Sequence, residues 1–200
     1  EPAQWSPGAP TLAVETTEGV GVAEVTARGP GPVRLIAKGW SGPSWSHDGH
    51  VLAVTQNRHG KPFTGESAIG LVSASGGQVK VVWQDPYRQD AWVGPVAEVK
   101  WSADGRWLAF YRGALSASLG MDSNQLTVLP AVGGEATALT SGPINRSYFS
   151  WAPEGARLAF TGGGGGRSAW LDKQVNLVSM PPTPPYRSLT PQGYADREPA

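Results

Sequence analysis

The densest group of chemistry-bearing side chains is His47, Asp48 and His50, with His59 a few residues on. Imidazole nitrogens and a carboxylate make a plausible donor set for a divalent metal. Their placement argues against one: the first three flank an Asp48-Gly49 turn, whereas His59 belongs to the opposite end of the following strand, so all three histidines read as solvated. The glycine run at 162–166, followed by Arg167-Ser168, offers backbone amides but lacks the Gly-x-x-x-x-Gly-Lys spacing of a phosphate loop and its strand-to-helix setting. No Gly-x-Ser-x-Gly nucleophile elbow occurs, so serine hydrolysis is not assigned to this chain. The absence of cysteine removes disulfides, thiol catalysis and thiolate metal ligands. The reading is of a chain with no catalytic residue, no cofactor and no metal.

What must position any functional group is a repeat. Trp101-Ser-Ala-Asp-Gly-Arg-Trp-Leu108-Ala-Phe110 recurs as Trp45 to Val54 and Trp151 to Phe160, and with an altered turn as Trp5 to Val14. In all four the Leu follows the Trp by seven residues. Self-similarity at a long period means a repeated structural unit. The motif's own chemistry is architectural. Asp-Gly is a strong turn signal, because Gly accepts positive φ and the carboxylate can bond nearby amides. Trp carries about 150–250 Å² of largely apolar surface to fill a wedge between units.

Composition fits short strands and many turns. The 200 residues include 27 Gly and 18 Pro, with 40% hydrophobic and only 16% charged residues. Lys plus Arg equals Asp plus Glu at 16 each, so no global field draws nucleic acid or an anionic membrane. No apolar run approaches the about 18 residues of a membrane-spanning helix, and any signal peptide or anchor is expected outside this chain.

Each unit reads as four antiparallel strands: a short one ending at the Trp, one centred on Leu-Ala-Phe/Val, and two more joined by a Gly- or Pro-rich turn. The last pairs are placed at Gly21 to Thr26 and Val33 to Ala37, Ala68 to Ala74 and Val79 to Trp83, Gln125 to Ala131 and Ala136 to Thr140, and Gln174 to Met180 and Tyr186 to Thr190. Polar loops are expected over 56–67, 112–123 and 161–173. The fold class is therefore all-β, a propeller of four-stranded blades over about 1–40, 41–93, 94–143 and 144–197. The Trp-to-Trp spacings of 40, 56 and 50 suit a blade period. Glu198-Pro199-Ala200 echoes Glu1-Pro2-Ala3, so the four blades are expected to belong to a larger ring of about six to eight blades, or else to form a complete four-bladed one.

Trp-Ser-x-Asp-Gly-x-x-Leu-Ala-Phe resembles the TolB-like propeller repeat, found in periplasmic TolB and in the propeller domains of prolyl-oligopeptidase-type serine peptidases. The resemblance spans essentially the whole chain, with departures at Gly8-Ala9 and Glu154. A sialidase Asp-box does not fit, because Asp and Gly are adjacent here. The resemblance implies an extracytoplasmic, bacterial envelope setting and a protein or envelope ligand as partner. It equally admits the substrate-gating propeller of a peptidase whose catalytic domain lies elsewhere.

In an up-and-down meander the Asp-Gly and Gly-Gly turns share one side, and the longer, varied connections share the other. Variable loops on a rigid scaffold usually carry binding. That face is expected to present Trp40, His59, Phe63, Tyr87, Arg88, Trp92, Arg112, Arg146, Tyr148 and Trp170, an aromatic and Arg mixture typical of interface hot spots.

Overall fold

The motif's polar residues close its turn with one hydrogen-bond set, seen twice. The Ser46 hydroxyl donates to Asp48 Oδ1 at 2.6 Å, His50 N donates to the same oxygen at 3.0 Å, and Val51 N donates to Ser46 Oγ at 3.0 Å. Ser102, Asp104, Arg106 and Trp107 repeat this at 2.6, 3.1 and 3.0 Å. Gly49 and Gly105 sit at φ 72° and 68°, where a Cβ would be strained. The fourth copy keeps Gly155 at φ 69° and the closing Ala152 N to Arg157 O bond, 2.8 Å, without the Ser and Asp side chains.

These turns join strands into four antiparallel sheets in a computed structural model that describes residues 3–59, 65–85, 93–116, 121–140, 148–163, 173–184 and 187–189. The first sheet holds β1 (Ala3–Trp5), β2 (Thr11–Thr16), β3 (Gly19–Thr26) and, after the two-residue β4 (Gly29–Pro30) at the far end of β3, β5 (Arg34–Lys38). The second holds β6 (Ser41–Trp45), β7 (Val51–His59), β8 (Gly65–Ser73) and β9 (Lys80–Asp85). β10 (Val93–Trp101), β11 (Trp107–Ser116), β12 (Met121–Pro130) and β13 (Thr137–Ala138) form the third. β14 (Phe149–Trp151), β15 (Arg157–Gly163), β16 (Lys173–Ser179) and β17 (Arg187–Ser188) form the fourth. Among the described residues there is no helix, and the architecture is an all-β array of propeller blades with β1, β6 and β10 adjacent on the inner side.

The expected polar loops are shorter than the sequence suggests. β7 and β8 stay paired out to His59 and Gly65, β11 and β12 out to Ser116 and Met121, and β15 and β16 out to Gly163 and Lys173. A two-stranded ribbon satisfies its backbone groups internally, so it can continue past the core with polar side chains and no hydrophobic alternation. The outermost strands are shorter than expected at Thr137–Ala138 and Arg187–Ser188, although Leu139 N still bonds Leu126 O and Leu189 N bonds Val175 O, at 2.7 and 2.8 Å. Gly29-Pro30, expected within a turn, is the short strand β4.

Three apolar clusters fill the wedges between successive sheets. Ala13, Val20 and Ile36 meet Leu52, Val54 and Trp45; Ala53 and Ile69 meet Leu108 and Phe110; Ala109 and Leu126 meet Leu158 and Phe160. The motif thus works on both faces of its strand. Its Leu and its terminal Val or Phe face the preceding blade, and its Ala leaves room for the Leu of the following one. Leu52, Leu108 and Leu158 are all fully buried, each contributing about 1.5–3 kcal/mol.

Candidate binding surface

At the end of the blades opposite the Asp-Gly turns, polar side chains first tie the sheets together. Asn57 mimics a strand neighbour: its Nδ2 donates to Val96 O at 3.0 Å, and its Oδ1 accepts from Val96 N and the Ser67 hydroxyl, both at 2.9 Å. Arg112 forks onto Asp85, Nε to Oδ2 at 2.6 Å and Nη2 to Oδ1 at 2.8 Å. The Asp85 side chain is only 3% exposed, and the guanidinium also lies 5.8 Å over the Trp83 ring. Blades one and two are joined similarly, Gly42 N donating to Glu15 Oε2 and Gln56 Nε2 to Gly39 O, at 3.0 and 3.1 Å.

The inner strands open into a cleft of about 250 Å³ lined by Gln4, Gly42, Pro43, Ser44, Glu98, Val99 and Lys100. Glu98 stands three residues before Trp101, as Gly42 stands before Trp45, and both lie in irregular strand pairings. Gly42 has φ 56° and Glu98 φ 52°, so an exposed carboxylate takes a conformation that suits glycine. Lys100 Nζ is 5.2 Å from the Phe149 ring centroid, and Phe149 packs edge-on against Tyr111. Burial, then the Glu98 charge and the Tyr148 phenol, raise the Tyr111 hydroxyl above the ordinary phenol value, so it stays protonated at neutral pH. Tyr148, three residues before Trp151, is 37% exposed, with its amide bonded to Thr161 Oγ1 at 2.8 Å. Among the described residues the arrangement offers one carboxylate, one ammonium and exposed aromatic surface, groups suited to recognition.

The structure divides the expected face residues. Tyr148 is partly exposed just before β14, Arg112 is held by Asp85, and Trp40 packs on the cluster between blades one and two, its ring so close over Gly70 that an added Cβ would touch it. His59 ends β7, and its side chain lies outside the described residues, as do Phe63, Tyr87, Arg88, Trp92, Arg146 and Trp170 entirely. Among the described residues no group of three metal-ligating side chains forms, and Asp48 is engaged by Ser46 and the His50 amide. Glu98, Lys100, Asn57 and Asp85 were not expected. The shared position three residues before the motif Trp was a readable signal only for Glu98. Two larger clefts open on the turn side, about 550 Å³ between blades one and two beside Arg28 and Arg34, and about 420 Å³ between blades two and three beside His47 and Lys80.

No protein-family model and no curated protein matches the sequence. Solved structures do. Pyrococcus horikoshii acylaminoacyl peptidase superimposes with TM-score 0.58 at 12% identity, over 91% of this chain and 30% of that one. The β-propeller domain of the trilobed protease from Pyrococcus furiosus gives 0.54 at 11%, over 92% and 54%. The likeness is one of fold: a β-propeller. A putative TolB from Agrobacterium tumefaciens is covered to 80% by 95% of this chain at 16% identity, with a looser TM-score of 0.38. This chain thus spans about a third to a half of the length of the two propeller proteins it superimposes on best among these.

Proposed function

We propose that this chain is a non-enzymatic β-propeller binding module of the bacterial cell envelope, receiving a protein or envelope ligand at its inner mouth and variable-connection face. The observation that carries this reading is Glu98, an exposed carboxylate at φ 52° that lines the same cleft as Lys100. Backbone strain at an exposed, charged residue is a frequent mark of a functional position. The motif residues, by contrast, are consumed by turn closure and wedge packing. The envelope setting rests on the resemblance of the repeat to the TolB-like family. The test is capture from a bacterial envelope fraction by immobilised protein. Wild type is expected to retain a defined ligand that Tyr148→Ala and Lys100→Glu lose while keeping the wild-type melting temperature. Equal retention by all three proteins would sink the assignment of the mouth.

The second reading is the gating propeller of a prolyl-oligopeptidase-like enzyme. Its support is that this chain spans only 30% of the acylaminoacyl peptidase it superimposes on. Reading the coding sequence beyond Ala200 separates the two. A downstream Gly-x-Ser-x-Gly domain favours the peptidase; further Trp motifs and a stop favour the binder.

A further inference from the structure

The two clefts on the turn side are copies of one feature, altered in blade one. Trp45 and Ala74 line the first as Trp101 and Ala131 line the second, and Arg34, paired with Val22, holds the register of Lys80, paired with Leu71. Each cleft also carries a motif serine, Ser6 or Ser46. Ser46 is satisfied: its hydroxyl donates to Asp48 and accepts from Val51 N. In blade one Gly8 stands where Asp48 stands, and Thr11 N, the counterpart of Val51 N, donates to Ala9 O at 2.7 Å instead. The Ser6 hydroxyl has thereby lost both partners. Ser6 is only 9% exposed and faces the blade-two turn, where a Cβ on Gly49 would stand 2.9 Å from Ser6 Oγ; among the described residues that hydroxyl makes no hydrogen bond. A buried polar group without a partner needs a physical explanation, and a bound molecule is one.

The rest of the wall sets the kind of molecule. β3 continues past the core into a hairpin with β4, where blade two has a tight turn closed by Gly76 N on Ser73 O. This hairpin brings Glu24 and Arg28 to the cleft, and neither forms an ion pair among the described residues. Arg34 adds a second guanidinium, anchored by Nη1 on Ser75 O and Nη2 on Ala74 O, both at 2.8 Å. The second cleft instead sets Asp48 and Asp104 against Lys80 and His47. With the motif carboxylate gone, the first cleft holds two guanidiniums and one carboxylate, and its volume of about 550 Å³ is that of a small-molecule site. We propose that the cleft between blades one and two binds a small organic monocarboxylate, its carboxylate on the Arg28 fork, an uncharged polar group on the Ser6 hydroxyl, and an apolar body against Val22 and Pro32. The planar guanidinium matches a carboxylate, and Glu24 disfavours a second negative charge. The site is separate from the inner mouth and does not depend on it.

Titration of the full chain with N-acetylleucine, followed by amide NMR shifts, tests this, with N-acetylleucinamide and inorganic phosphate as comparison probes. N-acetylleucine is expected to saturate with a dissociation constant of about 1 mM or tighter, moving the signals of Ser6, Arg28 and Gly49 and not those of Glu98 and Lys100. The neutral amide and phosphate should each bind about tenfold more weakly or worse, as should N-acetylleucine to Arg28→Gln. Ser6→Ala should weaken binding about three- to tenfold and keep the wild-type melting temperature, because no bond within the protein is lost, whereas Ser46→Ala should melt lower. Gly8→Asp, whose added Cβ meets nothing within 4 Å, returns a carboxylate beside Ser6 and is expected to abolish binding in a folded protein. No saturable binding of N-acetylleucine overturns the inference. So does binding that Arg28→Gln leaves unchanged, that the amide matches, that phosphate exceeds, or that moves only the signals of Glu98 and Lys100. A Ser6→Ala protein that melts as low as Ser46→Ala would show that the hydroxyl has a structural partner, and overturns it too.

Discussion

The indole nitrogen of Trp101 lies 3.0 Å from the carbonyl oxygen of Ser44, 57 residues earlier, so one motif's Trp is registered on the backbone just before another's. The bond fixes how far one sheet slides against the next, and the Leu and Ala of adjacent motifs then interlock beneath it. We expect Trp101→Phe, which keeps an aromatic ring and loses the donor, to cost about 1 kcal/mol. Leu108→Ala should cost about 2–5 kcal/mol, since the side chain is fully buried between blades two and three. Urea denaturation measures both.

The two closed turns make stability depend on acid. At Asp48, hydrogen bonds from Ser46 and then from the His50 amide hold the carboxyl below its ordinary value of 3.8. At Asp104, burial pulls upward, but Ser102 and Arg106 more than offset it and the net shift is again downward. A pKa depressed in the folded state means stabilisation that is present above the unfolded value and lost as pH falls through the folded one. Melting temperature is therefore expected to drop as pH falls below about 4. Asp48→Asn and Asp104→Asn should flatten that drop.

Arg112 and Asp85 form a bidentate ion pair between blades two and three. Arg112→Met leaves a nearly buried carboxylate without its bidentate partner and is expected to destabilise by about 3 kcal/mol. Arg112→Lys should recover little, because an ammonium cannot reproduce the fork. Adding Asp85→Leu to Arg112→Met should restore most of the loss, a coupling read from a double-mutant cycle.

Glu98 provides a test of strain. Glu98→Gly removes the Cβ from a left-handed conformation and is expected to stabilise by about 0.5–1 kcal/mol after the entropy of glycine is set against it. Gly42→Glu, the reciprocal change at the matching position, should destabilise, since its Cβ would also stand 3.0 Å from Thr55 Oγ1. Under the proposed function Glu98→Gly also weakens ligand capture, so stability and binding move in opposite directions.

Much of the scaffold was legible in the sequence because its determinants are local. Ser46, Asp48 and Gly49 make their turn within a few residues, and the seven-residue step from Trp to Leu places both against an apolar cluster in blades two, three and four. Less visible were features decided by residues far apart. Asp85 meets Arg112 from 27 positions away, so Arg112 read as a loop residue open to a partner. Asn57 reaches Val96 across 39 positions, and Trp40 owes its packing to Gly70, which has no side chain to signal it. Gln56 to His59 read as a loop because they are polar, although a paired ribbon needs no apolar side chains to persist. Of the residues expected on the binding face, Tyr148 is a partly exposed aromatic beside the motif, as its neighbourhood in the sequence suggests.

The central claim is that the repeating motif builds the scaffold while ligand capture resides at the inner mouth. The most direct test measures envelope-ligand capture and melting temperature side by side for Leu108→Ala and Tyr148→Ala. Leu108→Ala should melt several degrees lower, by about 2–4 °C per kcal/mol, yet capture ligand normally while folded. Tyr148→Ala should melt like the wild type and capture poorly. A Tyr148→Ala protein that loses as much stability as Leu108→Ala, or one that captures as well as wild type, would contradict the account.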